Sequence, residues 1–165
     1  MSAIETQLAN VSGRQWLEAI RDGLAPPPPT AQLLDLELAA VESGRTVFRF
    51  RPHERFGNGA GAVHGGILST LADFAVTTAI VTQLPPDVLL VTSNLNITYI
   101  RPVACDAEPV ECEGRVVHLG RTLAHAEAVV SGPGGTHLRA TATCYVRRAD
   151  PTPGGAVHRS ELGRS

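Results

Sequence analysis

Residues 60–84 are the most apolar stretch of the chain, and they constrain the fold more than any other feature. From Gly65 onward, Ile67, Leu68, Leu71, Ala72, Ala75, Val76, Ala79 and Ile80 recur at helical spacing. The apolar face is wide, which predicts a helix enclosed by other elements rather than resting on a surface. Length alone would allow a membrane span. Asp73, however, stands at the centre of the stretch, and an unpaired carboxylate is costly in the middle of a bilayer. The spacing therefore predicts a buried helix in a soluble protein, closed by Pro85 and Pro86, which cannot donate helical hydrogen bonds.

Strand-like runs flank this helix on both sides. Before it, Leu34, Leu36 and Leu38 alternate with Asp35 and Glu37, Ser43-Gly44 reads as a turn, and residues 47–51 read as the returning strand. Residues 52–62 are irregular and glycine-rich. After it come four runs: Val91 to Tyr99 in strict alternation, 110–118, 123–130, and 138–146 with Ala140, Ala142 and Cys144 on one face. Residues 131–135 read as a turn. At the N-terminus, Ser12 can cap a short helix carrying Trp16, Leu17, Ile20 and Leu24, and the prolines at 26–29 read as a stiff linker. Strands in runs around one apolar helix predict an α+β fold, an antiparallel sheet curled around that helix. Six strands shield only one side, so an open flank for a second subunit is expected. The expected organisation is 1–30 as helix and proline linker, 31–148 as the single domain, and 149–165 as a disordered tail rich in Gly, Pro, Ser and charge.

Several function classes are disfavoured. A net charge of −2 with no basic stripe argues against nucleic acid as a partner. Nothing suggests a membrane partner, and the N-terminus lacks a basic and then apolar leader, so the cytoplasm is the expected compartment. Cys105, Cys112 and Cys144 are an odd number with no CxxC pair, which predicts reduced thiols, not disulfides or zinc. His53, His118, His125, His137 and His158 show no metal-ligand spacing. No metal and no cofactor are expected.

Residues 57–73, GNGAGAVHGGILSTLAD, resemble the active-site segment of the PaaI-like hotdog thioesterases: an Asn, a variable stretch, His-Gly-Gly, then an acidic residue within the central helix. Residues 92–102, TSNLNITYIRP, are similar to that family's third strand, and 117–121, VHLGR, to its strand–turn. The resemblance spans roughly residues 33–147. It implies a hotdog fold, a homodimer often paired into a homotetramer, and metal-free hydrolysis of acyl-CoA, whose coenzyme A is part of the substrate. It also points to Asn58 as a polar contact within the catalytic set, and to Thr92, Ser93, His118, Gly120 and Arg121 as substrate or CoA contacts. Arg121 suits the CoA phosphates in particular.

Thioester hydrolysis needs an activated water or a nucleophile, and donors for the developing oxyanion. The first amides of a helix lack intrahelical partners, and Gly65 and Gly66 leave them open to a carbonyl oxygen. Asp73 supplies the carboxylate, as general base on water or as nucleophile forming a mixed anhydride. Both routes remain open. His64 can orient the thioester or serve the helix start alone. Thr77, one turn after Asp73, can reach the carboxylate or bond its own backbone. Gly65 and Asp73 lie eight residues, about 12 Å, apart along one helix. One chain's Asp73 therefore cannot attack a carbonyl held at its own Gly65, and a homo-oligomer with a shared site is expected. The alternatives are a hotdog hydratase or dehydratase and a non-catalytic acyl-CoA-binding protein.

Overall fold

The computed structural model describes residues 11–86 and 88–148. Helix α1 (Gly13–Arg21) starts at a capping box: the Gln15 N–H donates to Ser12 Oγ, and the Ser12 N–H donates to Gln15 Oε1. Leu17 is buried and Trp16 and Ile20 pack partly against the same core, as the stripe predicts. Leu24 does not join them. It lies past the helix end and is 82% exposed.

The proline run contains more than a linker. Pro29 is the first residue of a short helix, α2 (Pro29–Leu33), where its missing N–H would have had no partner anyway. Asp35 then takes a left-handed φ of 50°, and strand β1 (Glu37–Glu42) starts later than the Leu34–Leu36–Leu38 alternation suggests. Those three leucines are nonetheless all buried. The alternation reported burial correctly and conformation only in part, because a turn can also bury every second residue.

β1 pairs with β2 (Arg45–Phe50) through the Ser43-Gly44 turn, where Gly44 has φ 74°. The Gly44 N–H donates to Thr82 Oγ1 at 2.7 Å, tying this turn to the far end of the central helix. A single 3-10 turn (Glu54–Phe56) interrupts the irregular stretch that follows. The central helix α3 (Gly65–Val81) then runs the full predicted length. Strands β3 (Val88–Tyr99), β4 (Val110–Leu119), β5 (Leu123–Gly132) and β6 (Gly135–Arg148) complete a six-stranded antiparallel sheet of order β1-β2-β4-β5-β6-β3.

Leu68, Leu71, Ala72, Ala75, Val76, Ala79 and Ile80 bury the sheet-facing side of α3. The approach is closest at Gly114 of β4, where an added Cβ would stand 2.1 Å from the Ala75 carbonyl oxygen. Glycine is required there because the helix backbone occupies the space a side chain would take. The expected tail, residues 149–165, lies outside the described residues. Among the described residues, no helix is long and apolar enough to cross a membrane.

β3 departs from the strict alternation. A bulge between Thr92 and Asn94 inserts one residue against β6. Before it Val88, Leu90 and Thr92 point inward; after it Leu95 and Ile97 do. Val91, read as sharing a face with Leu95, is instead 61% exposed.

Candidate active site

The loop before α3 is braced by its own polar groups. Asn58 Oδ1 accepts the N–H groups of Ala60 and Ala62, at 2.9 and 3.2 Å, and the Asn58 N–H donates to the Ala62 carbonyl. Asn58 therefore shapes the loop, and it also lines an open groove of about 310 Å³ with Gly65, Leu68, Tyr99 and Arg101. His64 is the N-cap of α3: its Nδ1 accepts the Gly66 N–H at 2.9 Å. That bond requires an unprotonated Nδ1. It also occupies the Gly66 amide. The Gly65 N–H has no partner among the described residues, so of the two glycines Gly65 presents the open donor.

Sequence reasoning left out two residues that fix this helix start. Tyr99 Oη donates to the Gly65 carbonyl at 2.8 Å, and Ser69 Oγ reaches the same oxygen at 3.0 Å. The Tyr99 ring lies so close that a Cβ on Gly65 would stand 3.0–3.2 Å from it. Gly65 is thus needed to let the tyrosine dock. Tyr99 was in view within TYIRP, but its hydroxyl partner depends on β3 crossing the helix start, which spacing along the chain cannot show.

Asp73 is half-buried on the side of α3 that the sheet leaves uncovered. Gly66, Thr70, Asp73 and Thr77 form one stripe there, spaced four, three and four residues apart. Thr92 Oγ1 donates to Asp73 Oδ1 at 2.8 Å. The β3 bulge lets Thr92 face inward while the strand beyond it keeps Leu95 and Ile97 in the core. Thr77 Oγ1 donates to the Asp73 main-chain carbonyl at 2.6 Å, not to its carboxylate. Cys144, the ladder partner of Thr92, is buried. Burial pushes its thiol pKa up, opposed by a hydrogen bond with Thr92 and reinforced by the Asp73 charge. It is therefore held as a neutral thiol beside the carboxylate, a poor nucleophile.

The other predicted contacts are not gathered here. Ser93 Oγ donates to the Thr143 carbonyl. His118 is exposed on β4, its ring 6.4 Å from that of His125. Gly120 closes the β4–β5 turn by donating to the Leu123 carbonyl, and Arg121 is exposed on that turn. Val116 is level with Gly44, which bonds Thr82 at the C-terminal end of α3. The turn thus lies at the opposite end of α3 from Gly65, about 25 Å away for a helix of this length.

One long helix clasped by a six-stranded antiparallel sheet is the hotdog fold, and here the helix has a polar start and a single carboxylate. The profile of the Thioesterase superfamily matches residues 60–137. A Halobacterium salinarum protein with a provisional esterase name is 34% identical over 108 residues, covering 62% of this chain and 70% of that protein. Among solved structures, a phenylacetic acid degradation-related protein of Ralstonia eutropha JMP134, provisionally termed a thioesterase, aligns with a TM-score of 0.72 and 26% identity. The alignment covers 79% of this chain and 98% of that one. A mutant of the phenylacetic acid degradation protein PaaI of Thermus thermophilus aligns with a TM-score of 0.66 and 27% identity, over 72% of this chain and 98% of that one. The chain belongs to the thioesterase superfamily and is a PaaI-like hotdog thioesterase, a hydrolase of thioesters.

Proposed function

We propose that this chain hydrolyses acyl-CoA to the free acid and CoA at a site shared between two copies, with no metal and no cofactor beyond the substrate's own coenzyme A. The observation that carries the reading is the separation of its two halves. The open Gly65 amide and the Asp73 carboxylate lie on one helix, about 12 Å apart by its rise, too far for one carbonyl to meet both. A two-fold axis that sets two α3 helices antiparallel brings the partner's Asp73 to the Gly65 of this chain and creates the same site twice.

Two features support that assembly. β3 is a sheet edge twelve residues long with Leu89 and Val91 exposed, a surface suited to a second copy. The antiparallel arrangement also carries the partner's β4–β5 turn toward this chain's Gly65 groove, where the exposed guanidinium of Arg121 suits a CoA phosphate.

In the reaction, the thioester carbonyl oxygen takes the Gly65 N–H, and charge developing on it is stabilised by that amide and the helix dipole. In one route Asp73 takes a proton from water, and the oxygen attacks the carbonyl carbon. In the other Asp73 attacks directly and water cleaves the anhydride. Either way the C–S bond breaks and CoA leaves as a thiolate, which takes up the proton that water gives when its oxygen joins the acyl group. Following thiol release from a panel of acyl-CoA substrates tests the proposal. A folded wild-type protein that turns over none of them would refute it.

A further inference from the structure

On the flank of α3 away from β3, α1 and the proline segment enclose a cavity of about 30 Å³. Its walls include Trp16 and Ile20 of α1, Pro27, Leu38 of β1, and Phe74 of α3. The one hydroxyl in the lining, that of Thr78, is engaged with the Phe74 carbonyl at 2.6 Å and with Thr46 Oγ1 at 2.9 Å. The cavity therefore offers hydrocarbon and no free polar group. A void of this kind stays dry, and a charged or hydrated group entering it would lose its water without replacement.

Its position links it to the carboxylate. Phe74 follows Asp73 directly, about 100° further around the helix. Its half-buried ring packs 6.0 Å from that of Phe48 and lines the cavity. The floor is the helix of the matched segment, residues 60–137, whereas the roof, α1 with the prolines, lies outside that segment. Chemistry and enclosure thus come from different parts of the chain.

We propose that the cavity receives the end of the substrate's acyl group, passing over Phe74, and that Trp16 and Ile20 set how long a chain fits. The substrate class is an acyl thioester with an unsubstituted hydrocarbon tail, not one ending in a carboxylate. The inference rests on the thioester-hydrolase reading of Asp73.

The test is kcat/KM across straight-chain saturated acyl-CoA substrates of four to fourteen carbons, with glutaryl-CoA as the polar-ended control. Wild type, Trp16→Ala, Ile20→Ala and Ile20→Phe are compared, each checked by circular dichroism. Removing the indole should move the optimum to longer chains, and Ile20→Phe should move it to shorter ones. A methylene that gains or loses its space should change kcat/KM by on the order of ten-fold. Ile20→Phe keeps the test decisive if Trp16→Ala does not fold. An unchanged chain-length profile in folded variants, or a wild-type preference for glutaryl-CoA over pentanoyl-CoA, overturns this inference alone. A wild type inactive on every acyl-CoA overturns it together with the proposed function.

Discussion

The two sides of α3 share seventeen residues and one backbone, yet they are built for opposite tasks. The sheet side carries Leu71, Ala72, Ala75, Val76 and Ala79, all without measurable exposure, and meets a glycine across the gap. The open side carries Gly66, Thr70, Asp73 and Thr77, none fully buried. Packing chooses the first set by volume; hydrogen-bond chemistry chooses the second. The contrast teaches that stability and turnover can be lost separately along one helix.

The strongest way to break that contrast is a pair of single changes on opposite sides. Asp73→Asn should lower kcat by about 10²–10⁴ while shifting unfolding free energy by no more than about 1 kcal/mol. Steady-state thiol release and urea unfolding measure the two effects. Wild-type turnover in the folded variant would remove Asp73 from the chemistry. Gly114→Ala should do the reverse. Its Cβ would sit 2.1 Å from the Ala75 carbonyl, so helix and sheet must separate, at a cost of about 2–3 kcal/mol in the same unfolding assay.

The shared-site proposal predicts a second, conditional effect. Gly65→Pro removes the open amide and Asp73→Asn the carboxylate, so each homodimer should be nearly inactive. A mixed dimer contains one site with both lesions and one with neither. It should recover up to about half of wild-type activity by two-fold symmetry. Serial purification on two affinity tags secures the mixed species. A verified mixed dimer as inactive as both parents, with both chains folded, contradicts a site shared between copies.

Much of the fold was legible because burial leaves a period in the sequence. The limits of α3, the β1–β2 turn and the small inward residues of β6 all follow from that period. The β3 bulge was not legible, because residues 88–91 are apolar in both phases and only pairing with β6 selects which of them face inward. α2 was hidden because prolines suit both an extended segment and a first helical turn. At the site, Asp73 and Gly65 stood out as a lone charge and an absent side chain. The bond from Thr92 to Asp73, that from Tyr99 to Gly65, and the capture of the Gly66 amide by His64 all depend on three-dimensional approach, which spacing does not encode.

Thr92 sharpens the comparison at a smaller scale. It acts through the Asp73 carboxylate and not on the substrate, so it is a positioning residue. Thr92→Val should lower kcat about ten-fold with KM unchanged, and Thr92→Ser should restore most of the loss because it keeps the donor. A valine variant with the wild-type kcat would show that the bond to Asp73 has no part in turnover.

The finest division lies between two neighbouring threonines. Thr77 and Thr78 make the same local bond, each hydroxyl donating at 2.6 Å to the carbonyl four residues back. Thr77 is on the open side, half-buried, beside the Asp73 stripe. Thr78 is on the sheet side, where its oxygen also meets Thr46 Oγ1 at 2.9 Å. Valine matches threonine in shape and deletes only the hydroxyl, so each change reads the chemistry of one position. Thr78→Val breaks the buried pair, and Thr46 keeps its bond to the Ala75 carbonyl at 3.1 Å. The net loss should be about 1 kcal/mol in unfolding free energy. Thr77→Val changes the open side of the helix and loses a bond that water can replace. Its unfolding free energy should change by less than about 0.5 kcal/mol, while kcat falls a few-fold if the hydroxyl also orders water at Asp73. Equal stability losses in the two variants would mean that both positions are enclosed alike, and the contrast between the sides of α3 would fail at its C-terminal half.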